Sequence, residues 1–396
     1  MASLDIWKVI ISSMTIAMCF LSMAIVLTKQ SGRSDQERFL ALFLFIYGLV
    51  KFDQLYMHTN SFEIWPHLAG IMFSLKLFLP SVMYFYTRSL TEQKEQWFKR
   101  QDTFALCAPF IAALVATPYY VLSAEQKVAL MNPLTRDPVL YERAVLGCQI
   151  GLVLFVVTAF TYLGMSFKLF RAHTSRLRML FSQIEDKQIS WLRWVIIVIT
   201  LAWIWYAICE LWLLTGKQPG SVYLTNMVIE MFFVGFIALR GINQQPVYQE
   251  SNAELDWVET ASNSDKESVY SKSSLTEEAR VEIAKKLLYV MDVEQLYKDS
   301  ELSLRTLSDK IQVSEVRISE TFSQHMKTSF FDFVNQHRVR EACRLLQQTD
   351  HKIVAVAFDA GFNSRSTFGA AFKKYIKQSP SQYRKQHSAN AASRGG

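Results

Sequence analysis

Up to about residue 240 the hydrophobic positions of this chain run together in long blocks, and beyond it they are spaced out among polar residues. Crossing the hydrocarbon of a bilayer takes roughly 20 mostly apolar residues. Seven blocks approach that length: Ile6–Thr28, Phe39–Tyr56, Ile64–Tyr86, Phe104–Leu122, Ala144–Phe167, Trp191–Leu214 and Val222–Leu239. Ala144–Phe167 holds no charge, whereas Lys51 and Asp53 interrupt Phe39–Tyr56. Residues 241–273 are rich in Ser, Asn, Gln and acids and keep no period, which predicts a flexible linker. From Ser274, apolar residues return at helical spacing, and Ser274 with Glu277 three positions on reads as a capping box. The expected fold is all-α: a seven-helix transmembrane bundle over 1–240, the linker, an all-helical domain over 274–388, and a disordered tail over 389–396.

Composition sharpens this division. A content of 51% hydrophobic and 19% charged residues looks ordinary only because it averages two unlike halves. The formal net charge of +7 suits contact with phosphate or anionic lipid without choosing between them. The first charge is Asp5, so no basic segment precedes the first apolar block and a cleavable signal peptide is not expected. Cys19, Cys107, Cys148, Cys209 and Cys343 form no C-x-x-C pair or Cys/His cluster, and all five read as small packing residues.

Loop charge orients the blocks. With the N-terminus outside, the inner loops carry 12 lysines and arginines, among them Lys29, Arg33, Arg88, Arg171 and Arg176. The outer loops carry four: Lys127, Arg136, Arg143 and Lys217. The positive-inside bias therefore predicts a multi-pass protein of a bacterial inner membrane, with a periplasmic N-terminus and a cytoplasmic C-terminus.

Asp53, Lys76, Glu210 and Glu230 fall inside the apolar blocks, with Lys51 beside them and His67 near an outer end. A charge in hydrocarbon costs a few kcal/mol or more, so such groups face a cavity or each other. Two readings stand. Asp53, Lys76, Glu210 and Glu230 line a sensor pocket for a small ligand or membrane signal, or Lys76 pairs with Glu210 or Glu230 to fix helix packing. Lys51 and Asp53 lie close enough to an interface to snorkel. No zinc spacing, nucleophile elbow or phosphate-cradling loop occurs, so neither an enzyme nor a metal or other cofactor is expected.

The C-terminal segment contains a repeat. Leu304, Leu307 and Ile311 form one apolar stripe, Val313 marks a turn, Ser314 caps a second helix, and that helix carries Ile318 and Phe322. Forty-nine residues on, Ile353, Val356 and Ala360 repeat the stripe, Gly361 takes the turn, and Phe362, Phe368 and Phe372 match Val313, Ile318 and Phe322. Each copy reads as helix, turn, helix, with one long helix between them.

The run Leu302–Arg384 resembles the AraC/XylS family of bacterial transcription regulators. Ile353, Ala357, Gly361, Phe362, Ser366, Phe368, Phe372, Lys373, Pro380, Tyr383 and Arg384 stand at family spacing, and the first copy matches through Leu304, Leu307, Ser314, Ile318, Phe322, Phe330, Arg338 and Leu346. The resemblance covers about a quarter of the chain. Gln312, Lys327 and Lys377 stand where the family often has glycine, Ser308 where it has alanine, and Thr321 at a position often apolar. The resemblance implies that each second helix enters the major groove of double-stranded DNA. Carried over, the first reading helix presents Ser314, Val316, Arg317, Ser319 and Glu320, and the second Asn363, Arg365, Ser366, Gly369 and Ala370. Arg365 is the leading base contact, since arginine pairs bidentately with guanine. Lys373, Lys374, Arg384 and Lys385 read as phosphate anchors on a face with no acid after Asp359. The expected function is a membrane-embedded one-component transcription regulator whose bundle senses a signal, in one version as a homodimer. The alternative is a receptor or transporter whose C-terminal module mediates protein interaction.

Overall fold

A computed structural model describes residues 2–28, 35–91, 100–184, 190–213, 220–242 and 275–392. Among these every regular element is helical, and the nearest approach to a strand is an isolated antiparallel bridge between Phe181 and Ser303. The chain divides into two compact units, one of residues 1–171 and 189–247, the other of residues 172–188 and 248–396. The expected boundaries made each domain contiguous. Instead, residues 172–188, from the middle of the apolar half, belong to the C-terminal unit.

The first unit contains α1 (Ala2–Thr28), α2 (Asp35–His58), α3 (Met72–Leu75), α4 (Phe78–Thr91), α5 (Phe104–Tyr120), α6 (Ala124–Met131), most of α7 (Pro138–Leu180), α8 (Ser190–Leu213) and α9 (Gly220–Ile242). Four helices are long and apolar enough to cross a membrane: Ile6–Thr28, Asp35–His58, α7 and Val222–Ile242. The expected single span Ile64–Tyr86 is a bent pair, Pro66–Leu75 with Phe78–Thr91 at 40°, and the expected span Phe104–Leu122 corresponds to α5, which pairs with a further short helix as Cys107–Tyr120 with Ala124–Met131 at 98°. The second break follows Val121 and Leu122, where Ser123 and Gln126 form a reciprocal capping box and start a new helix. In α8 the apolar described stretch is shorter, Arg193–Cys209. Among the described residues, length and composition therefore support four spans, or up to six if each bent pair is one span.

The unit's core joins α1, α2, α4, α8 and α9 through Cys19, Phe43, Leu44, Tyr86, Val195, Val234 and Ile237. Many large apolar side chains stay outside it, including Leu21, Phe110, Leu114, Val153, Leu201 and Phe232, each more than 60% exposed. With 43 residues, α7 is about 65 Å long, roughly twice the thickness of bilayer hydrocarbon. The five cysteines are free thiols; Cys19 and Cys209 are buried, whereas Cys107 and Cys148 are exposed.

The second unit begins its globular part at α10 (Glu277–Asp292). Its N-cap is Thr276, whose hydroxyl accepts from the Ala279 amide, two residues later than the expected cap at Ser274. Then follow α11 (Leu304–Ile311), α12 (Glu315–Glu320) continuing as a π-helical turn over Thr321–His325, α13 (Phe330–Gln348), α14 (Ile353–Asp359), α15 (Arg365–Ile376) and α16 (Pro380–Ala392). A tail was expected from residue 389, but α16 runs to Ala392. Residues 243–274, which carry the expected linker, and 393–396 lie outside the described residues.

Candidate nucleic-acid interface

Two apolar cores build the interface. In the first, Leu304, Leu307 and Ile311 of α11 meet Ile318 and Phe322 of the second helix, with α10 and the start of α13 closing the cluster. In the second, Val356, Ala357 and Ala360 of α14 meet Phe368 and Phe372 of α15 against Val339, Ala342 and Leu346 of α13. Long α13 thus contributes its first half to one core and its second half to the other. Rings run in series through the second core: Phe362, Phe368, Phe372 and Tyr383 are successive neighbours at 5.3–5.5 Å between centroids.

Turn chemistry explains the departures from the family pattern. Gln312, Lys327 and Lys377 have φ of 53°, 49° and 64°, and Gly361 has φ 92°. Each of these positions needs the left-handed backbone that glycine adopts without strain, which is why glycine is the common choice there. Ser308 donates its hydroxyl to the carbonyl of Val313 at 2.7 Å and so braces the first turn. Buried Thr321 bonds the Arg317 carbonyl at 2.8 Å at the point where the helix widens, which satisfies its hydroxyl inside an apolar core. The second turn is one residue longer than the first: α11 and α14 start 49 residues apart, whereas the caps Ser314 and Ser364 are 50 apart.

The proposed reading residues divide by exposure. Ser314, Val316, Arg317, Arg365, Ser366 and Ala370 are exposed, and Ser319, Asn363 and Gly369 are half-buried. No atom lies within 4 Å of the place a Cβ would take at Gly369, so that flank of α15 is open. Glu320 is placed differently. It is 3% exposed and its carboxylate accepts from the Arg280 guanidinium at 2.9 Å, so it braces α10 against the first reading helix instead of facing outward. Lys373, Lys374 and Lys385 are exposed. The Lys374 ammonium reaches the carboxylate of Asp332, which also accepts from the Tyr375 hydroxyl at 2.8 Å. Half-buried Arg384 keeps its Nε and one terminal nitrogen out of solvent with no hydrogen-bond acceptor among the described residues.

Sequence reasoning missed one element of this unit. Arg338 was legible only as a family position. It is fully buried and donates to the carbonyls of Tyr297 and Asp299, both at 2.7 Å, and to the Ser182 hydroxyl at 3.2 Å. The signal that could have pointed to Ser182 is weak: a short polar interruption, Ser182-Gln183, between apolar Phe181 and Ile184.

Of the charged residues expected to line a pocket in the first unit, Glu230 forms an ion pair with buried Lys51, not with Lys76. Lys51 also donates to the Gln54 side chain at 2.9 Å, and Asn226 donates to Glu230 at 2.9 Å. Lys51 is 4% exposed and therefore does not snorkel. Lys76 donates to the Tyr206 hydroxyl at 3.4 Å, and Asp53 is half-buried. The Glu210 side chain lies outside the described residues.

Residues 307–386 match the family model described as a helix-turn-helix domain. An uncharacterized HTH-type transcriptional regulator of Staphylococcus aureus strain COL is 34% identical over 99 residues, covering 25% of this chain and 13% of that protein. The transcriptional regulatory protein HptR of S. aureus strain NCTC 8325 is 35% identical over 101 residues, 25% of this chain and 40% of the relative. Among solved structures, the C-terminal domain of the two-component response regulator yesN from Fusobacterium nucleatum is 34% identical, covers 26% of this chain and 98% of its own, and has a TM-score of 0.24. The C-terminal domain of AraT, a response regulator from Geobacillus stearothermophilus, is 27% identical over 29% of this chain and 88% of its own, with a TM-score of 0.25. The chain thus spans well under half the length of these curated relatives. The matched relatives are regulators, a non-enzymatic family. Residues 307–386 accordingly form a helix-turn-helix domain similar to those carried by bacterial transcriptional regulators.

Proposed function

We propose that this chain is a membrane-embedded transcription regulator in which the second unit binds promoter DNA and the helices of the first unit sense a signal. One observation carries the reading. A paired helix-turn-helix unit with exposed Arg317 and Arg365 is encoded in the same chain as helices whose large apolar side chains remain outside their own core. Such an apolar surface is costly in water and ordinary against lipid. Arg365 and Ser366 at the start of α15 and Ser314, Val316 and Arg317 around the start of α12 are the base-reading candidates; Asn363, Ser319, Gly369 and Ala370 flank them. Lys373, Lys385 and Arg384 hold phosphates, the last with guanidinium nitrogens that lack an acceptor. Lys374 joins them when phosphate displaces Asp332.

In the first unit, seven passages, counting both bent pairs and α8, give an outer N-terminus and a cytoplasmic C-terminus, in keeping with the loop charge. Buried Lys51 with half-buried Glu230, Gln54 and Asn226, together with Lys76, Tyr206 and Asp53, is the polar feature on which a signal would act. Dimerisation of the bundle would raise the local concentration of DNA-binding units. The test is to cross-link cells expressing the tagged full chain, isolate the membrane fraction, and sequence the DNA that remains attached. Enrichment of defined promoters supports the reading. Recovery of the protein in membranes with DNA no different from a tag-only control refutes it.

A further inference from the structure

The residues that follow α7 do something no helix-turn-helix pair needs from its own sequence. Phe181, Ser182, Gln183 and Ile184 are all buried within the second unit. Phe181 pairs with Ser303, the cap of α11, in an antiparallel bridge. The amide and hydroxyl of Ser182 both donate to the carbonyl of Leu302, at 3.2 and 2.6 Å. The carbonyl of Ser182 accepts from Asn335 at 3.4 Å and from Arg338 at 3.5 Å, both on connecting helix α13. Gln183 then donates its side-chain amide to the carbonyl of Gly361, the left-handed turn of the second copy, at 3.1 Å. Leu177, Leu180, Phe181 and Ile184 fill the first apolar core beside Leu302, Leu304 and Phe330.

A stretch of eight residues therefore touches the start of the first helix-turn-helix, the helix that joins the two copies, and the turn of the second. Among the described residues, the hydrogen bonds of Ser182 and Gln183 go to Leu302, Asn335, Arg338 and Gly361 and to none of the exposed reading residues Ser314, Val316, Arg317, Arg365 and Ser366. What it bears on is the relation between the copies. Arg338 shows the dependence: its buried cation has carbonyls and a hydroxyl as partners, and Ser182 supplies two of these oxygens.

We propose that Leu177–Ile184 is a positioning strap that fixes the spacing of the two reading helices, which makes spacing-selective DNA binding depend on the C-terminal end of α7. The proposal rests on the DNA-binding reading above. Two groove-reading helices held at one separation accept one separation of half-sites. With the polar bonds of Ser182 and Gln183 removed, the apolar side chains of the strap stay in the first core, but the copies tolerate other separations. Because the strap is continuous with α7, a signal that shifts the end of that helix would change which sites are bound without touching a base-reading side chain.

The test uses the full chain in phospholipid nanodiscs and a DNA site selected from a random pool by the wild-type protein. Affinity is measured for that site and for the same site with one base pair inserted between the half-sites. Wild type is expected to prefer the selected spacing by roughly tenfold, the size of one mismatched position. Ser182→Ala combined with Gln183→Ala is expected to bring that ratio to near one while each half-site is still read. The proposal is overturned if the double variant melts like wild type and keeps its spacing ratio, or if wild type shows no spacing preference. Should the double variant fail to fold, Gln183→Ala alone, which removes only the bond to Gly361, carries the same comparison. Failure to select any sequence would refute the DNA-binding reading itself, an outcome distinct from loss of the strap's effect.

Discussion

Glu320 accepts a hydrogen bond from Arg280 at 2.9 Å, and this contact turns an expected reading residue into a brace between α10 and the first helix-turn-helix. Its carboxylate is almost wholly buried, so removing the charge leaves the Arg280 guanidinium without its inner counter-ion and puts an amide NH2 beside it. Glu320→Gln should lower the melting midpoint of the second unit by several degrees and leave base preference unchanged at every position. Melting curves together with binding to a single-base-substituted site series check this. A changed preference at one cytosine-bearing position would show that Glu320 reaches the groove.

Arg365 opens α15 and is exposed, with Ser364 capping the helix behind it through the Thr367 amide. Arg365→Ala should cost about 1–3 kcal/mol at one base position and relax specificity there. Lys373→Ala should weaken all sequences alike and reduce the slope of log affinity against log salt by about one. A uniform loss for Arg365→Ala would mark it as a phosphate contact instead.

Gly361 combines a left-handed φ of 92° with a close backbone approach: a Cβ there would overlap the Tyr297 carbonyl oxygen and come within 2.9 Å of the Lys298 Cα. Neither neighbour is the end of a flexible side chain. Gly361→Ala should destabilise the unit by about 2–4 kcal/mol. Gln312→Gly, by contrast, should stabilise slightly or be neutral, because it relieves a strained non-glycine residue at the equivalent turn. Paired denaturant curves decide both.

Burial holds the His337 imidazole below its ordinary value, Arg340 adding to the effect and Asp292 opposing it. The ring lies 4.9 Å from Phe333 and its Nδ1 is 3.2 Å from the Asp292 carboxylate. The unfolded chain takes up a proton near pH 6.5, the folded unit only at lower pH. Stability should therefore fall as pH drops through about 6.5 and level off below the depressed folded value. His337→Gln should flatten this part of the profile, measured as melting midpoint between about pH 7.5 and 5.5. An unchanged slope would assign the pH dependence to other groups.

The second unit was legible because its pattern is local. Leu304, Leu307 and Ile311 recur as Ile353, Val356 and Ala360, and the same spacing that shows in the sequence packs both cores. The glycine-replacing residues Gln312, Lys327 and Lys377 also read correctly as turn positions, since a helix must end where the backbone turns left-handed. Four things were hidden. Exposure along a short helix depends on what packs against it, so nothing local separated Glu320 from Arg317. The break at Lys76–Leu77 lies inside the apolar block Ile64–Tyr86 with no glycine or proline to mark it, so span counting read that block as one helix. Ser182 and Gln183 make bonds across more than 100 residues to Leu302 and Gly361, a separation at which periodicity carries no information. The pairing of Lys51 with Glu230, across 179 positions, was out of reach for the same reason.

The most direct measurement is footprinting of DNA by the full-length protein in lipid nanodiscs across a range of salt. The expected result is a selected site protected in two adjacent major grooves on one face of the duplex, with affinity falling steeply as salt rises and with Arg365→Ala losing protection in one groove only. Membrane-incorporated protein that protects no defined sequence, or that binds every duplex equally, would contradict it.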